Sequence, residues 1–430
     1  MRSIRTYYLD DTEVLKKQLL LWSQQFDEVL WLDSNNYEQK NSSFDAILAV
    51  DAFTSIKTDT LNGYYKIKDY QEVTKDWLFG YLTYDLKNDV ESLVSENLDR
   101  LNFPDLFFFQ PKKLFIVKGN TLEIQYLKFV EDELKIDYLE ITSLQASSET
   151  LNPEEVKIKL RIHKDEYYNK VNALLEHIHR GDIYEVNFCQ EFYAENTLLN
   201  PLATYFNLNK ISRPPFAAFL KLNDKFLMSA SPERYLKKMA NKVISQPIKG
   251  TAKRANAEEE DQQLKRDLSN DVKEQSENIM IVDLVRNDLS KIAKKGTVTV
   301  DELCKVYTFE QVHQLISTVS CEVESTISPV DIIKNSFPMG SMTGAPKISA
   351  MQLIEKYEET KRGIYSGAVG YFTPDSDFDF NVVIRSILYN AADKYVSYSV
   401  GGAITSQSDP TKEYEECLLK AKAMREVLEG

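Results

Sequence analysis

No Cys-x-x-Cys pair occurs anywhere in the 430 residues, and no run of about 18 apolar residues long enough to span a membrane as a helix. The four cysteines, Cys189, Cys304, Cys321 and Cys417, are widely spaced and read as reduced thiols in or near a core. Met1-Arg2-Ser3-Ile4-Arg5 leads into polar residues rather than the apolar centre of a signal peptide, so a reducing cytoplasm is the expected setting. Positive charge is also in short supply. The net charge of −14 excludes a basic nucleic-acid footprint, so neither nucleic acid nor membrane is an expected partner. An anionic substrate would need local positive charge set against this global field. Internal repeats and low-complexity tracts are absent.

What is present is material for a large core: 43% hydrophobic residues, with an ordinary 27% charged. The length allows two or three domains or one large unit. The polar stretch from Ser147 to Pro153 suggests a division into 1–150 and 151–430, both intertwined in one compact unit. In the first part, Phe107-Phe108-Phe109, Leu114 to Val117 and Gly80 to Asp85 read as strands, the last reaching a turn. In the second, Tyr167 to His179 has helical periodicity and stops at Gly181. Ile183 to Phe192 reads as a strand, and Phe216 to Leu220 with Lys225 to Met228 as a hairpin. Ala257 to Asn287 reads as one long helix, with shorter helices at Val330 to Asn335 and Ile348 to Glu358. Ser366 to Phe372, Asn381 to Leu388 and Tyr395 to Val400 read as three strands, before a last helix from about Pro410 to Leu428. Strands in runs, separated by helices, predict an α+β fold with antiparallel sheet.

Four features carry chemistry. Glu274 and Glu277 lie three apart on one expected helix, and Glu413 and Glu416 three apart on another. Each pair shares a helix face, and four such carboxylates would make an oxygen cage suited to Mg²⁺. Spacing alone does not bring the two pairs together. Gly340 to Lys347 is a glycine-containing helix-entry loop whose free amides favour anions, and it is not a Walker A loop, because Lys347 is followed by Ile348. Gly401-Gly402-Ala403 follows a strand, and its glycines permit close backbone approach to a ligand. Lys249, between Pro247 and Gly250, sits in a partly apolar setting where a lysine can lose its proton and act as a nucleophile. His177 and His179 point to different helix faces and read as ordinary helix residues; His313 is the better site residue.

Taken together, these segments resemble the chorismate-utilising enzymes, the family of anthranilate synthase large subunits and aminodeoxychorismate synthase component I. The resemblance rests on Ser229 to Arg234, Pro247 to Thr251, Glu277 to Asp288, Gly340 to Lys347, Arg362 to Gly367, Val383 to Ser386 and Asp409 to Glu416, in the family's order. Residues 1–150 match more loosely, at Leu32-Asp33-Ser34 and Gly80 to Asp85. The resemblance implies an anthranilate-synthase-component-I-like fold, with large, mostly antiparallel sheets and helices around a central cleft. It implies chorismate as substrate and Mg²⁺ as cofactor, with Glu277 and Glu416 as direct ligands and Glu274 and Glu413 acting through water. It assigns Tyr365, Arg385, Gly401 and Gly402 to the enolpyruvyl carboxylate, Thr343 and His313 to the ring end, and Lys420 to a further carboxylate contact. Ser34 falls in a segment resembling the family's tryptophan-binding element.

Two positions discriminate within the family. Isochorismate and salicylate synthases resemble one another in placing a lysine base where this chain has Glu185. Anthranilate synthases usually carry alanine where this chain has Lys249, and aminodeoxychorismate synthases carry lysine. The resemblance therefore implies amination of chorismate at C4, with Lys249 as nucleophile and Glu233 as the acid that protonates the departing hydroxyl. Anthranilate synthase component I is the alternative enzyme, and a non-catalytic chorismate-binding or regulatory subunit is the alternative of another class. No Gly-x-Cys-x-Gly-x-Gln elbow surrounds any cysteine, so a separate glutamine amidotransferase subunit is expected to supply ammonia. The chain departs from the family pattern at Ala403, usually a third glycine, and at Glu185, usually glutamine.

Overall fold

The computed structural model describes residues 2–37, 41–145 and 156–430. The expected connection from Ser147 to Pro153 lies outside the described residues. The strands form a branched antiparallel network, and the branch point is one long strand. Strand β1 (Glu28–Asp33) pairs with β2 (Ala46–Thr58); β3 (Leu78–Leu82) and β2 both pair with β4 (Leu106–Lys118). Phe107–Phe109 and Leu114–Val117, expected as two strands, are the halves of β4. Pro111 between them cannot donate to a ladder, and it sits where the register on β2 slips between Ala52 and Thr54.

From β4 the sheet runs outward along two arms. Helix α1 (Lys164–Arg180) ends at Gly181, whose φ of 89° suits the left-handed cap. Strand β5 (Glu185–Ala194) follows, then the hairpin of β6 (Phe216–Leu222) and β7 (Lys225–Ser231). Strands β8 (Arg234–Met239), β9 (Lys242–Gln246) and β10 (Ile248–Lys253) come next. The stretch expected as one helix is two, α2 (Glu258–Asn270) and α3 (Val272–Ser290). The break is at Asp271, whose extended backbone and side-chain bond to the Glu274 N–H make it the cap of α3. Beyond them lie β11 (Val312–Glu322), α4 (Lys347–Tyr357), β12 (Ala368–Phe372), β13 (Phe378–Val382), β14 (Ser386–Asn390), β15 (Tyr395–Thr405) and α5 (Pro410–Glu429).

The first arm continues from β2 through β1, β6, β7, β14 and β15 to β5. The second continues from β4 through β3, β12, β13, β8 and β9 to β11, with β10 beside it. Each arm begins on strands from the first 120 residues and continues on strands from the rest of the chain. Alternate residues of β1 feed opposite cores, Leu30 and Leu32 one and Val29 and Trp31 the other. The arms end at β5 and β10, and those two strands carry Glu185 and Lys249. Among the described residues, no helix is long and apolar enough to cross a membrane.

Candidate active site

Lys249 is aimed by a bulge. The β10–β11 register runs Ile248 to Ile316, then skips to Thr251 with Gln314, so Lys249 and Gly250 fall in the slip. Gly250 takes a φ of 89°, and a Cβ there would crowd Leu315 and the Glu274 carboxylate at 3.0 and 3.2 Å. The Lys249 ammonium is mostly buried and stands 3.5 Å from Oε1 of Glu185 at the end of the other arm. Burial works to lower its pKa. The carboxylates of Glu185, Glu277, Glu233 and Glu416 outweigh burial and hold it above the ordinary lysine value. Burial and these four anions therefore act on the amine in opposite directions.

Glu233 lies between β7 and β8 and is buried. Its Oε1 accepts a hydrogen bond from the Ser341 hydroxyl at 2.7 Å. Burial pushes its carboxyl up to about 7, against the Ser341 bond and the charges of Lys249 and Arg385. It is therefore poised to hold a proton near neutrality. The sequence marked Ser341 only as part of the Gly340–Lys347 loop, 108 residues from Glu233.

Arg385 occupies a break rather than a strand. The expected strand from Asn381 to Leu388 is interrupted between β13 and β14, with Arg385 at a φ of 49° and its carbonyl accepting from the Ala230 N–H. The guanidinium has no hydrogen bond or ion pair among the described residues, and burial lowers its pKa, with Glu233 opposing. Five donors in a desolvated setting favour an incoming carboxylate. Tyr365 is buried beneath the site, with its hydroxyl 3.5 Å from Cys189 Sγ.

Glu274 and Glu277 lie on α3, and Glu413 and Glu416 on α5. The two pairs feel one another. Burial, then the charges of Glu277 and Glu416, raise Glu274; burial raises Glu413, and the charges of Glu416 and Glu277 add to this. The oxygens do not converge: among the described residues, no three His, Cys, Asp or Glu side chains form a ready cage. Instead Lys273 lies 3.7 Å from Glu277 and Lys420 lies 2.8 Å from Glu416, each lysine one helical turn from its partner. Lys420 also donates to the Gly401 carbonyl. An all-carboxylate donor set under mutual repulsion fits a hard divalent cation.

The glycine pair was expected after a strand; the register puts both residues inside β15, opposite Cys189 and Phe188. A Cβ on Gly401 would lie 2.4 Å from the Phe188 carbonyl oxygen, so its glycine serves strand packing. A Cβ on Gly402 would stand 3.3 Å from Glu413 and 3.8 Å from Glu416, so its bare backbone borders the carboxylates. The Thr343 hydroxyl donates to the Gly340 and Met339 carbonyls, within its own loop. His313 on β11 has Nδ1 on Thr308 and Nε2 on Asp261. Ser34 lies apart from this site, its buried hydroxyl without a partner among the described residues, beside a cavity of about 40 Å³. The neighbouring Asp33 holds Lys16 at 3.0 Å. His177 bonds Asp182 and Tyr357.

Residues 27–426 match the model of the chorismate binding enzyme family. The chain belongs to that family. It is 35% identical to a probable chloroplastic aminodeoxychorismate synthase of Oryza sativa, over 85% of this chain and 45% of the relative. It is 30% identical to aminodeoxychorismate synthase component 1 of Bacillus subtilis, over 88% of this chain and 80% of the relative. Several curated relatives are far longer, and the chain spans about half the length of the rice protein and others like it. Among solved structures, anthranilate synthase component I from Streptococcus pneumoniae superposes with a TM-score of 0.79 at 26% identity, covering 90% of this chain and 93% of that one. The α+β architecture is that of these chorismate enzymes.

Beneath the family site lies a network that sequence reasoning passed over. Arg362 bonds both oxygens of Glu358 at 2.6 and 2.9 Å and the carbonyls of Met342 and Asn187 at 2.6 and 2.7 Å. Glu358 also accepts from the Cys189 N–H. Arg362 thus ties the Gly340–Lys347 loop to β5. The sequence marked Arg362 only as the first residue of a matching motif, and the four-residue spacing from Glu358 was the available clue.

Proposed function

We propose that this chain aminates chorismate at C4 to give 4-amino-4-deoxychorismate. The observation that carries the reading is Lys249, held between the two arms at a buried site with Glu233 and Arg385 in electrostatic reach. The Arg385 guanidinium receives the enolpyruvyl carboxylate. The ring carboxylate lies toward Glu277 and Glu416, with Lys420 beside them. A hard divalent cation, Mg²⁺, on those glutamates supplies charge to hold that carboxylate and offsets two of the four anions that keep Lys249 protonated. The neutral Nζ of Lys249 forms a bond to C2. The two ring double bonds shift, the C4–O bond breaks, and the hydroxyl leaves as water with the Glu233 proton. Ammonia then bonds to C4, the double bonds shift back, and the C2–Nζ bond breaks.

Glutamine hydrolysis needs a nucleophile that the four cysteines do not offer. Cys189 and Cys321 are buried, with thiols pushed up by burial to about 12 and about 11, and burial raises Cys304 and Cys417 as well. Ammonia therefore comes from a glutamine amidotransferase subunit, in a reducing cytoplasmic setting. The test is an assay with chorismate, Mg²⁺ and ammonium, coupled to a lyase that converts aminodeoxychorismate to 4-aminobenzoate. The expected product is 4-aminobenzoate. Fluorescent anthranilate formed by the chain alone would overturn the reading in favour of anthranilate synthesis.

A further inference from the structure

Glu185 holds a carboxyl oxygen with no hydrogen-bond partner among the described residues. The side chain is 1% exposed, and Oε1 faces Lys249 at 3.5 Å. Oε2 is enclosed and has no hydrogen-bond partner, the only carboxylate oxygen among the described residues in that condition. Enclosed acceptors are almost always satisfied, and charged ones cost most when they are not. The Glu185 backbone is clamped on both sides. Glu185 pairs with Thr405 of β15 and with Ala345 of the entry loop, and Gly344 packs so closely that a Cβ there would lie 2.2 Å from the Glu185 carbonyl oxygen.

A small ligand with N–H or O–H donors would satisfy that oxygen. Under the amination reading there are two co-substrates. One is a dianion whose single hydroxyl belongs with Glu233, and a second carboxylate beside Glu185 would be repelled. The other is ammonia, small enough for an enclosed corner and carrying three N–H donors. We propose that Oε2 of Glu185 is the docking point for ammonia, next to the Lys249 amine that ammonia later displaces from the ring. The contact is a hydrogen bond and involves no bond-making step.

This inference rests on the amination reading, and one experiment separates the two. Steady-state kinetics with ammonium chloride as nitrogen source, at fixed pH with saturating Mg²⁺, compare wild type, E185Q and E185A. The KM for ammonia is expected to rise about tenfold in E185A, the scale of one lost charge-assisted hydrogen bond, and about threefold in E185Q, which keeps a neutral acceptor. The KM for chorismate should stay within about twofold, and the Lys249 adduct formed without ammonia should not fall, since losing Glu185 removes one of the anions that keep Lys249 protonated. An unchanged ammonia KM in E185Q would overturn the proposal, even if E185A fails to fold. So would a parallel loss of chorismate affinity and adduct, which would mean that Glu185 only positions Lys249. Product identity in the wild-type reaction tests the amination reading separately. Anthranilate would overturn that reading while the ammonia KM still decides Glu185, and no turnover of chorismate would overturn both.

Discussion

The Arg362–Glu358 and Lys249–Glu185 pairs are both buried, both join β5 to another part of the fold, and could hardly be satisfied more differently. Arg362 spends its donors on two carboxylate oxygens and two backbone carbonyls, and Glu358 also takes a backbone N–H. Lys249 has one partner at 3.5 Å, Glu185 keeps an oxygen with none, and the nearby Arg385 guanidinium has no hydrogen bond among the described residues. A buried charge with all its bonds made is architecture; a buried charge with bonds left over is stabilised only when a ligand supplies them. At the family site Glu185 and Arg385 are left short of hydrogen bonds among the described residues.

The sharpest way to break that comparison is to remove one member of each pair. K249A should lower the rate of aminodeoxychorismate formation by roughly 10³-fold or more with ammonia, with the smaller stability loss of the two variants. E358A should do the reverse in kind, costing about 3–5 kcal/mol of stability because it strands the Arg362 charge, with no rescue by chorismate. Equal stability losses in the two variants would dissolve the distinction.

Glu233 tests whether the site holds its proton as the burial suggests. A carboxyl raised to about 7 is protonated below that pH, so kcat/KM should fall as pH rises through about 7. E233Q should lower kcat about 10²-fold and erase that limb. Arg385 gives the smallest effect. R385Q should raise the KM for chorismate about tenfold by removing a carboxylate partner, while thermal unfolding moves slightly upward, since a desolvated charge has gone.

The sequence carried the fold class and the final helix, because alternation and motif order are local signals. It did not carry the break at Arg385, since Val383 and Ile384 read as continuing a strand, nor the Asp271 cap that splits the long helix. It placed Gly401 and Gly402 beyond a strand because glycine weakens strand patterns, whereas the close approach of Phe188 requires glycine at 401 within the ladder. Partnerships were the least legible. Ser341 with Glu233, Lys249 with Glu185 and Lys273 over Glu277 depend on where the two sheet arms and the helices beside them end, and only the last follows from spacing.

The central claim is that Lys249 becomes covalently bound to the ring. The direct measurement is rapid acid quench of the chain with chorismate and Mg²⁺ in the absence of ammonia, followed by peptide mass mapping. The account predicts an adduct with the mass of chorismate less water on the peptide carrying Lys249, absent from K249A and discharged when ammonium is added. Full turnover with ammonia by K249A, or an adduct on another residue, would contradict it.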